Sequence, residues 1–238
     1  DTVFLVMSLN DDFNIRRLER YLTAAWDSGA MPVIVLTKAD LCENPAYYIN
    51  QIEDIAFGVD IIIVSALEGD GMDKVMEYVT DGKTVALLGS SGTGKSTLVN
   101  ALLGNEVMKT SGIREDDAKG RHTTTHRELV TTKNGGCIID TPGMRELKLF
   151  DQEDSLTATF EDIEQFAARC RYRDCQHGKE PGCGIREALQ TGELPKDRYA
   201  SFLKLQRELA YLDRKEKVHA RLLEKTIQKK ISKRIKSR

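Results

Sequence analysis

Four groups of residues have the types and spacing that chemistry needs. Gly89-Ser90-Ser91-Gly92-Thr93-Gly94-Lys95-Ser96 has the form of a phosphate-binding loop. Its glycines let backbone N–H groups converge on phosphate oxygens, and a helix starting behind it adds partial positive charge. In that reading Lys95 reaches the β- and γ-phosphates, the Ser96 hydroxyl ligates Mg²⁺, and Thr97 completes the nucleotide contacts. Asp140-Thr141-Pro142-Gly143 fits the second phosphate-side element of a nucleotide hydrolase. There Asp140 holds Mg²⁺ through water and the Gly143 N–H senses the γ-phosphate. Thr37-Lys38-Ala39-Asp40 fits base recognition. A carboxylate at Asp40 accepts from guanine N1–H and N2–H₂, an edge that adenine lacks, while the Lys38 stem packs over the purine. Ser65-Ala66-Leu67 offers a backbone N–H to guanine O6. Thr37 stands where this motif usually has Asn, a change expected to weaken its tether to the phosphate loop.

Hydrolysis also needs a group that positions water. Many GTPases place Gln directly after the D-x-x-G glycine, but here the residue is Met144, whose thioether cannot orient water. His122 is the best substitute, since an imidazole titrating near neutrality can orient or deprotonate water. Thr124 or Thr125 would close on Mg²⁺ and the γ-phosphate, with Thr124 preferred. The fourth group is Cys170-x₄-Cys175-x-His177-x₅-Cys183, three thiols and an imidazole within 14 residues. A closed Cys₃His set binds structural Zn²⁺ and leaves no open position. Arg169, Arg171, Arg173, Lys179 and Arg186 surround it, an edge suited to a phosphate backbone. Cys42 and Cys137 read as packing residues, and His126 and His219 as surface residues.

These groups need elements to position them. Apolar runs at Val3–Met7, Pro32–Leu36, Ile61–Val64 and Thr84–Leu88 read as buried strands. Helices are expected near Phe13–Asp27, Ala46–Phe57 and Gly71–Val79, with Asn10, Asp11 and Asp12 as candidate caps for the first. Each recognition motif then falls at the carboxyl end of a strand, where open α/β sheets bind ligands. Lys109–Arg127 reads as a mobile loop. Glu128–Thr132 and Cys137–Asp140 read as a hairpin, turned at Asn134-Gly135. Numbered along the chain, the expected strand order is 5-6-4-1-2-3, with strand 5 antiparallel. Beyond Phe150 short charged helices surround the Cys cluster, and Arg198–Leu223 has a helical pattern. The expected boundaries are 1–155 for the nucleotide domain, 156–213 for the metal-binding helical domain and 214–238 for a basic helix or tail.

Composition narrows the class. The 238 residues are 40% hydrophobic and 30% charged, with five Cys. No run approaches the roughly 20 apolar residues that span a bilayer, so no membrane role is expected. Clustered Cys suit a metal in a reducing cytosol better than disulfides, so the expected location is cytoplasmic. The chain opens inside a strand, and the natural polypeptide is expected to begin earlier. Net charge is −2, but residues 214–238 hold 11 Lys/Arg against 2 Asp/Glu. That arm is +9 and the rest of the chain −11, which points to nucleic acid contact at the C-terminal end.

The base, phosphate and switch motifs resemble those of Ras-like and translation-factor GTPases, in rotated order. With Gly120-Arg121-His122-Thr123-Thr124-Thr125 and the Cys/His cluster, the chain closely resembles the YjeQ/RsgA (EngC) family of circularly permuted GTPases. The resemblance implies an α/β fold: a circularly permuted P-loop GTPase domain with a six-stranded, mostly parallel sheet, followed by a small α-helical zinc-binding domain. It implies GTP/GDP, Mg²⁺ and one structural Zn²⁺, and His122 matches the family's proposed catalytic residue. It also implies a partner, the small ribosomal subunit and its rRNA, on which GTP is hydrolysed late in assembly; no coiled-coil seam argues for a dimer, so a monomer is expected. The family's usual N-terminal OB-fold has no counterpart in these residues. The alternative is a nucleotide-gated RNA-binding module with little catalysis. An ATP-dependent enzyme is disfavoured by Asp40.

Overall fold

The apolar runs of the sequence become strands of one sheet. The computed structural model describes residues 1–104, 128–140 and 153–236, and of the last helix beyond residue 218 the backbone only. The strands are β1 (Thr2–Ser8), β2 (Met31–Thr37), β3 (Asp60–Ile63), β4 (Thr84–Leu88), β5 (Glu128–Thr131) and β6 (Cys137–Asp140). Their order is β3-β2-β1-β4-β6-β5, as expected, with β4 in the interior. All neighbours pair parallel except β5 with β6.

Both faces of the sheet are covered, which is why its strands read as continuous apolar runs. On one face Phe4, Val6, Val33, Val35, Val85 and Leu87 pack against α3 (Met72–Met76) and α4 (Lys95–Leu103). On the other, Leu5, Met7, Ile34, Leu36 and Leu88 pack against α1 (Ile15–Asp27) and α2 (Pro45–Glu53). Adjacent residues of β1 serve opposite faces, as the pleat requires.

Two local expectations change. The cap of α1 is Asn14, whose side chain accepts from the Arg17 N–H at 3.0 Å. Asn10 instead folds the loop ahead of it, accepting from the Ser8 hydroxyl at 2.7 Å and the Asp12 N–H at 3.2 Å. Asn and Asp side chains compete for such local bonds, and composition alone does not separate Asn14 from the three candidates ahead of it. The β5–β6 turn is also wider than a two-residue Asn-Gly turn. Gly135, at φ 82°, donates to the Thr132 carbonyl at 3.0 Å, and Thr132 N–H reaches the Gly136 carbonyl at 2.8 Å. Lys133–Gly135 thus form a three-residue loop with glycine in the left-handed position.

The chain divides into two compact units, Asp1–Lys148 and Leu149–Arg238. The second contains α5 (Glu153–Thr159), α6 (Glu161–Ala167), α7 (Gly184–Thr191) and α8 (Lys196–Lys236). Its core includes Phe160, Ile163, Ile185, Phe202 and Leu205. Arg198 is buried there, gripping both oxygens of Asp162 at 2.7 and 2.5 Å and lying over the Phe160 ring. The helix α8 continues without a break past residue 214, where the basic segment begins. No helix among the described residues is long and apolar enough to cross a membrane.

Candidate functional site

The glycine loop leaves β4 and turns directly into α4. Gly89 is confined there: a β-carbon would come 2.5 Å from the Val6 carbonyl oxygen of the adjacent strand. Gly94, at φ 87°, caps α4 in a conformation that side chains disfavour. Ser96 and Thr97 occupy the first turn of α4, and Ser91 and Gly92 are exposed. The Lys95 ammonium is buried and donates to the Gly89 carbonyl at 2.7 Å and the Ser90 carbonyl at 2.6 Å. The loop thus satisfies its cation with its own carbonyls.

The Thr37–Asp40 turn meets this loop. The buried Thr37 hydroxyl lies 2.6 Å from the Thr93 carbonyl and 3.2 Å from the Met7 carbonyl. Thr37 therefore tethers the end of β2 to the phosphate loop despite the missing Asn. Lys38 follows in the left-handed region, at φ 61°, and turns the chain into a 3₁₀ turn over Ala39–Leu41. The Ala39 N–H bonds the Val64 carbonyl at 3.2 Å, which docks this turn beside the chain leaving β3. Asp40 is exposed, and its Oδ1 accepts from the buried Ser65 hydroxyl at 2.8 Å. The same hydroxyl accepts from the Glu68 N–H at 3.2 Å. Ala66 is half-buried beside it.

A further charged group, one that no motif marks, borders the loop. Asp12 and Arg17 form a two-point ion pair, and Arg17 also donates to the Ser90 hydroxyl. Burial pushes the pKa of Tyr21, one turn along α1 from Arg17, up.

In the second unit Cys170, Cys175, His177 and Cys183 converge, with their ligand atoms all within 4.8 Å of one another. His177 Nδ1 is 3.5 Å from both the Cys170 and Cys183 sulfurs, which are 4.0 Å apart. A tetrahedron with zinc-like bonds requires edges of about 3.5–3.8 Å, so the cluster fits that ion. His177 adopts φ 58°, the cost of two ligands separated by one residue. The Gly184 N–H donates to Cys170 Sγ at 3.3 Å. Burial raises the Cys170 pKa, but bonds from the Gly184 and Ile185 amides and the neighbouring thiols outweigh it, and the net shift is downward. The Cys175 pKa is pushed up to about 11: the His177 amide lowers it, but desolvation, hydrogen bonds to Cys183 and Cys170, and the Cys170 charge prevail. Three thiol sulfurs and an imidazole nitrogen gathered this closely form a donor set suited to one cation.

A family model described as RsgA GTPase matches residues 1–150. The chain belongs to the RsgA GTPase family. It is 53% identical over 211 residues to small ribosomal subunit biogenesis GTPase RsgA 2 of Lactiplantibacillus plantarum, covering 89% of this chain and 59% of that one. It is 49% identical over 231 residues to RsgA 1 of Oceanobacillus iheyensis, covering 97% and 66%. The chain thus spans less than two thirds of the length of these relatives. Among solved structures it resembles YjeQ from Thermotoga maritima, at 30% identity and TM-score 0.62, over 88% of this chain and 71% of that one. It also resembles YloQ, a circularly permuted GTPase, at 27% identity and TM-score 0.59, over 88% and 68%.

RsgA membership explains the motif order. The fold is a circularly permuted P-loop GTPase fold, in which β2 and β3, whose ends carry Thr37–Asp40 and Ser65, precede β4, which runs into the glycine loop. The structure brings together Thr37, Lys38, Asp40, Ser65 and the loop Gly89–Ser96 at one end of the sheet. The backbone of Asp140 ends β6, beside Leu87 of β4. The Asp140 side chain, Gly143, His122, Thr124, Thr125 and the loop Lys109–Arg127 lie outside the described residues.

Proposed function

We propose that this RsgA-family protein binds guanine nucleotide at the Thr37–Asp40 and Gly89–Ser96 elements and hydrolyses GTP in response to the small ribosomal subunit. The observation that carries this reading is the Thr37–Thr93 bond, because it joins the base-reading turn and the phosphate loop into one receptor. The relatives' name, small ribosomal subunit biogenesis GTPase, supports the partner and the assembly role. The domain assignment we propose is 1–155 for GTP, 156–213 for zinc and 214–238 for RNA. The protein works as a cytoplasmic monomer.

In this reading guanine N1–H and N2–H₂ donate to Asp40, whose carboxylate plane the Ser65 hydroxyl fixes. Ala66 turns a backbone N–H toward O6, and the Lys38 stem covers the ring. The loop amides and Lys95 take the phosphates, Lys95 exchanging two carbonyls for β- and γ-phosphate oxygens. Mg²⁺, when bound, neutralises charge developing between those phosphates; Ser96 and Thr124 would hold it directly and Asp140 through water. His122 orients the attacking water and accepts its proton as the γ-phosphoryl group transfers and GDP leaves. The Gly143 N–H reports whether the γ-phosphate is present. Zn²⁺, when bound, cross-links Cys170, Cys175, His177 and Cys183, and this closed set leaves no position for catalysis.

Met144 favours a second reading, a nucleotide-gated RNA-binding module that turns over little GTP. Single-turnover GTP hydrolysis with and without saturating small subunits separates the two. We expect strong stimulation of the wild type. His122→Ala should keep nucleotide affinity and lose about 10²-fold or more of the stimulated rate. A wild type that binds GTP and small subunits without stimulated hydrolysis would establish the second reading. Equal stimulated rates in wild type and variant would remove His122 from catalysis.

A further inference from the structure

The β1–α1 loop holds a charged cluster against the phosphate loop that the function above leaves unused. Asn10 folds this loop and Asn14 caps α1, which places Asp12 opposite Arg17. The Arg17 guanidinium grips both carboxylate oxygens, at 2.9 and 3.2 Å. The nitrogen that makes the shorter of these bonds also donates to the Ser90 hydroxyl, which lies 3.2 Å from the same Asp12 oxygen. Ser90 is therefore held on its side chain by α1. Its carbonyl, meanwhile, accepts from the Lys95 ammonium at 2.6 Å and from the Thr93 hydroxyl at 2.9 Å. One residue links the Asp12–Arg17 pair to the lysine that meets phosphate.

We infer that Arg17, clasped by Asp12, is a positioning residue for the phosphate loop: it fixes Ser90 and so sets the place from which Lys95 engages phosphate. This inference rests on the guanine-nucleotide reading above. An exposed ion pair contributes little by itself. This pair is two-pointed, its arginine side chain is only 27% exposed, and it shares a hydroxyl with the loop. The planar fork of Arg can hold a carboxylate and a hydroxyl at once, whereas a Lys ammonium is a point charge without that geometry. Preorganising the loop lowers the ordering cost of binding, so the effect falls on affinity.

The test is equilibrium binding of fluorescent GDP, with thermal melting of the free protein, for wild type, Arg17→Ala, Arg17→Lys, Ser90→Ala and the Arg17→Ala/Ser90→Ala double variant. Arg17→Ala and Ser90→Ala should each weaken GDP about fivefold, the scale of one lost charge-assisted hydrogen bond. The double variant should be no weaker than about the worse single, because both act through one contact. Arg17→Lys should recover little of the loss. A lowered melting point with unchanged GDP affinity would mean that Arg17 only staples α1 and would overturn the inference. Additive losses in the double variant, or full rescue by lysine, would overturn it too. Should Arg17→Ala not fold, Ser90→Ala and Arg17→Lys decide alone: unchanged GDP affinity in both overturns the inference. If the wild type binds GDP and the variants match it, only the inference fails. If the wild type binds no guanine nucleotide, the functional reading fails and the inference with it.

Discussion

A carboxylate can read two guanine donors only if both its oxygens present themselves to the base edge. At Asp40 this orientation is built in. Ser65 is fully buried, its hydroxyl holds Oδ1 at 2.8 Å, and that hydroxyl is itself held by the Glu68 N–H. Asp40 remains exposed and available. Replacement by Asn keeps the shape but turns an amide donor toward a donor edge. Asp40→Asn should therefore lose about 1–3 kcal/mol of GTP affinity, the scale of a charge-assisted bond left unmade. Competition of GTP against ATP measures it. An unchanged preference for GTP in that variant would refute the assignment of Asp40 to the base.

At the scale of elements, the metal loop makes the clearest demand. Its ligands come from one 14-residue segment in which His177 must adopt φ 58°. A bound ion offsets such strain, because metal binding and folding of the loop are one event. Cys175→Ser should lower zinc content below one ion per chain and loosen the loop, seen as faster amide exchange across residues 170–183. GDP affinity should stay near wild type, because the nucleotide elements lie in the other unit. Stoichiometric zinc in the variant, or none in the wild type, would remove the site. This loop was legible in the sequence because its ligands are close in sequence. The sheet was legible because a doubly covered parallel strand must be apolar throughout, as Phe4-Leu5-Val6-Met7 is. The Asn14 cap was not, because Asn10, Asp11, Asp12 and Asn14 are chemically interchangeable until the loop is folded. Nor was the clasp of Arg17 on Ser90, which joins residues 73 apart in the chain. In sequence, Arg17 is one more charge on an amphipathic helix. The helical pattern of Arg198–Leu223 runs on in one helix to Lys236, and Leu223, Ile227, Ile231 and Ile235 carry an i,i+4 spacing through the charged segment.

For the whole molecule the governing quantity is the separation of charge. Residues 1–213 carry −11, so their net field opposes approach to an RNA backbone, while residues 214–238 carry +9. The last helix runs 41 residues, about 60 Å at 1.5 Å per residue, and the basic segment occupies its distal part. Cations near a helix C-terminus also favour its dipole, and that alone would leave RNA affinity untouched. The two roles differ in their dependence on salt. Each phosphate neutralised releases counterions and adds about 0.7–0.9 to the slope of log affinity against log salt. Only part of a helix can face one backbone at a time. If about half of the 11 Lys/Arg engage, deleting residues 214–238 should cut that slope by about 4. The measurement is small-subunit binding, with a non-hydrolysable GTP analogue, between about 50 and 200 mM salt. Affinity of the truncated chain should fall most at the low-salt end, and GDP affinity should not change. A slope equal to that of the intact chain would assign the basic residues to the helix alone and return RNA contact to the cationic rim of the metal loop.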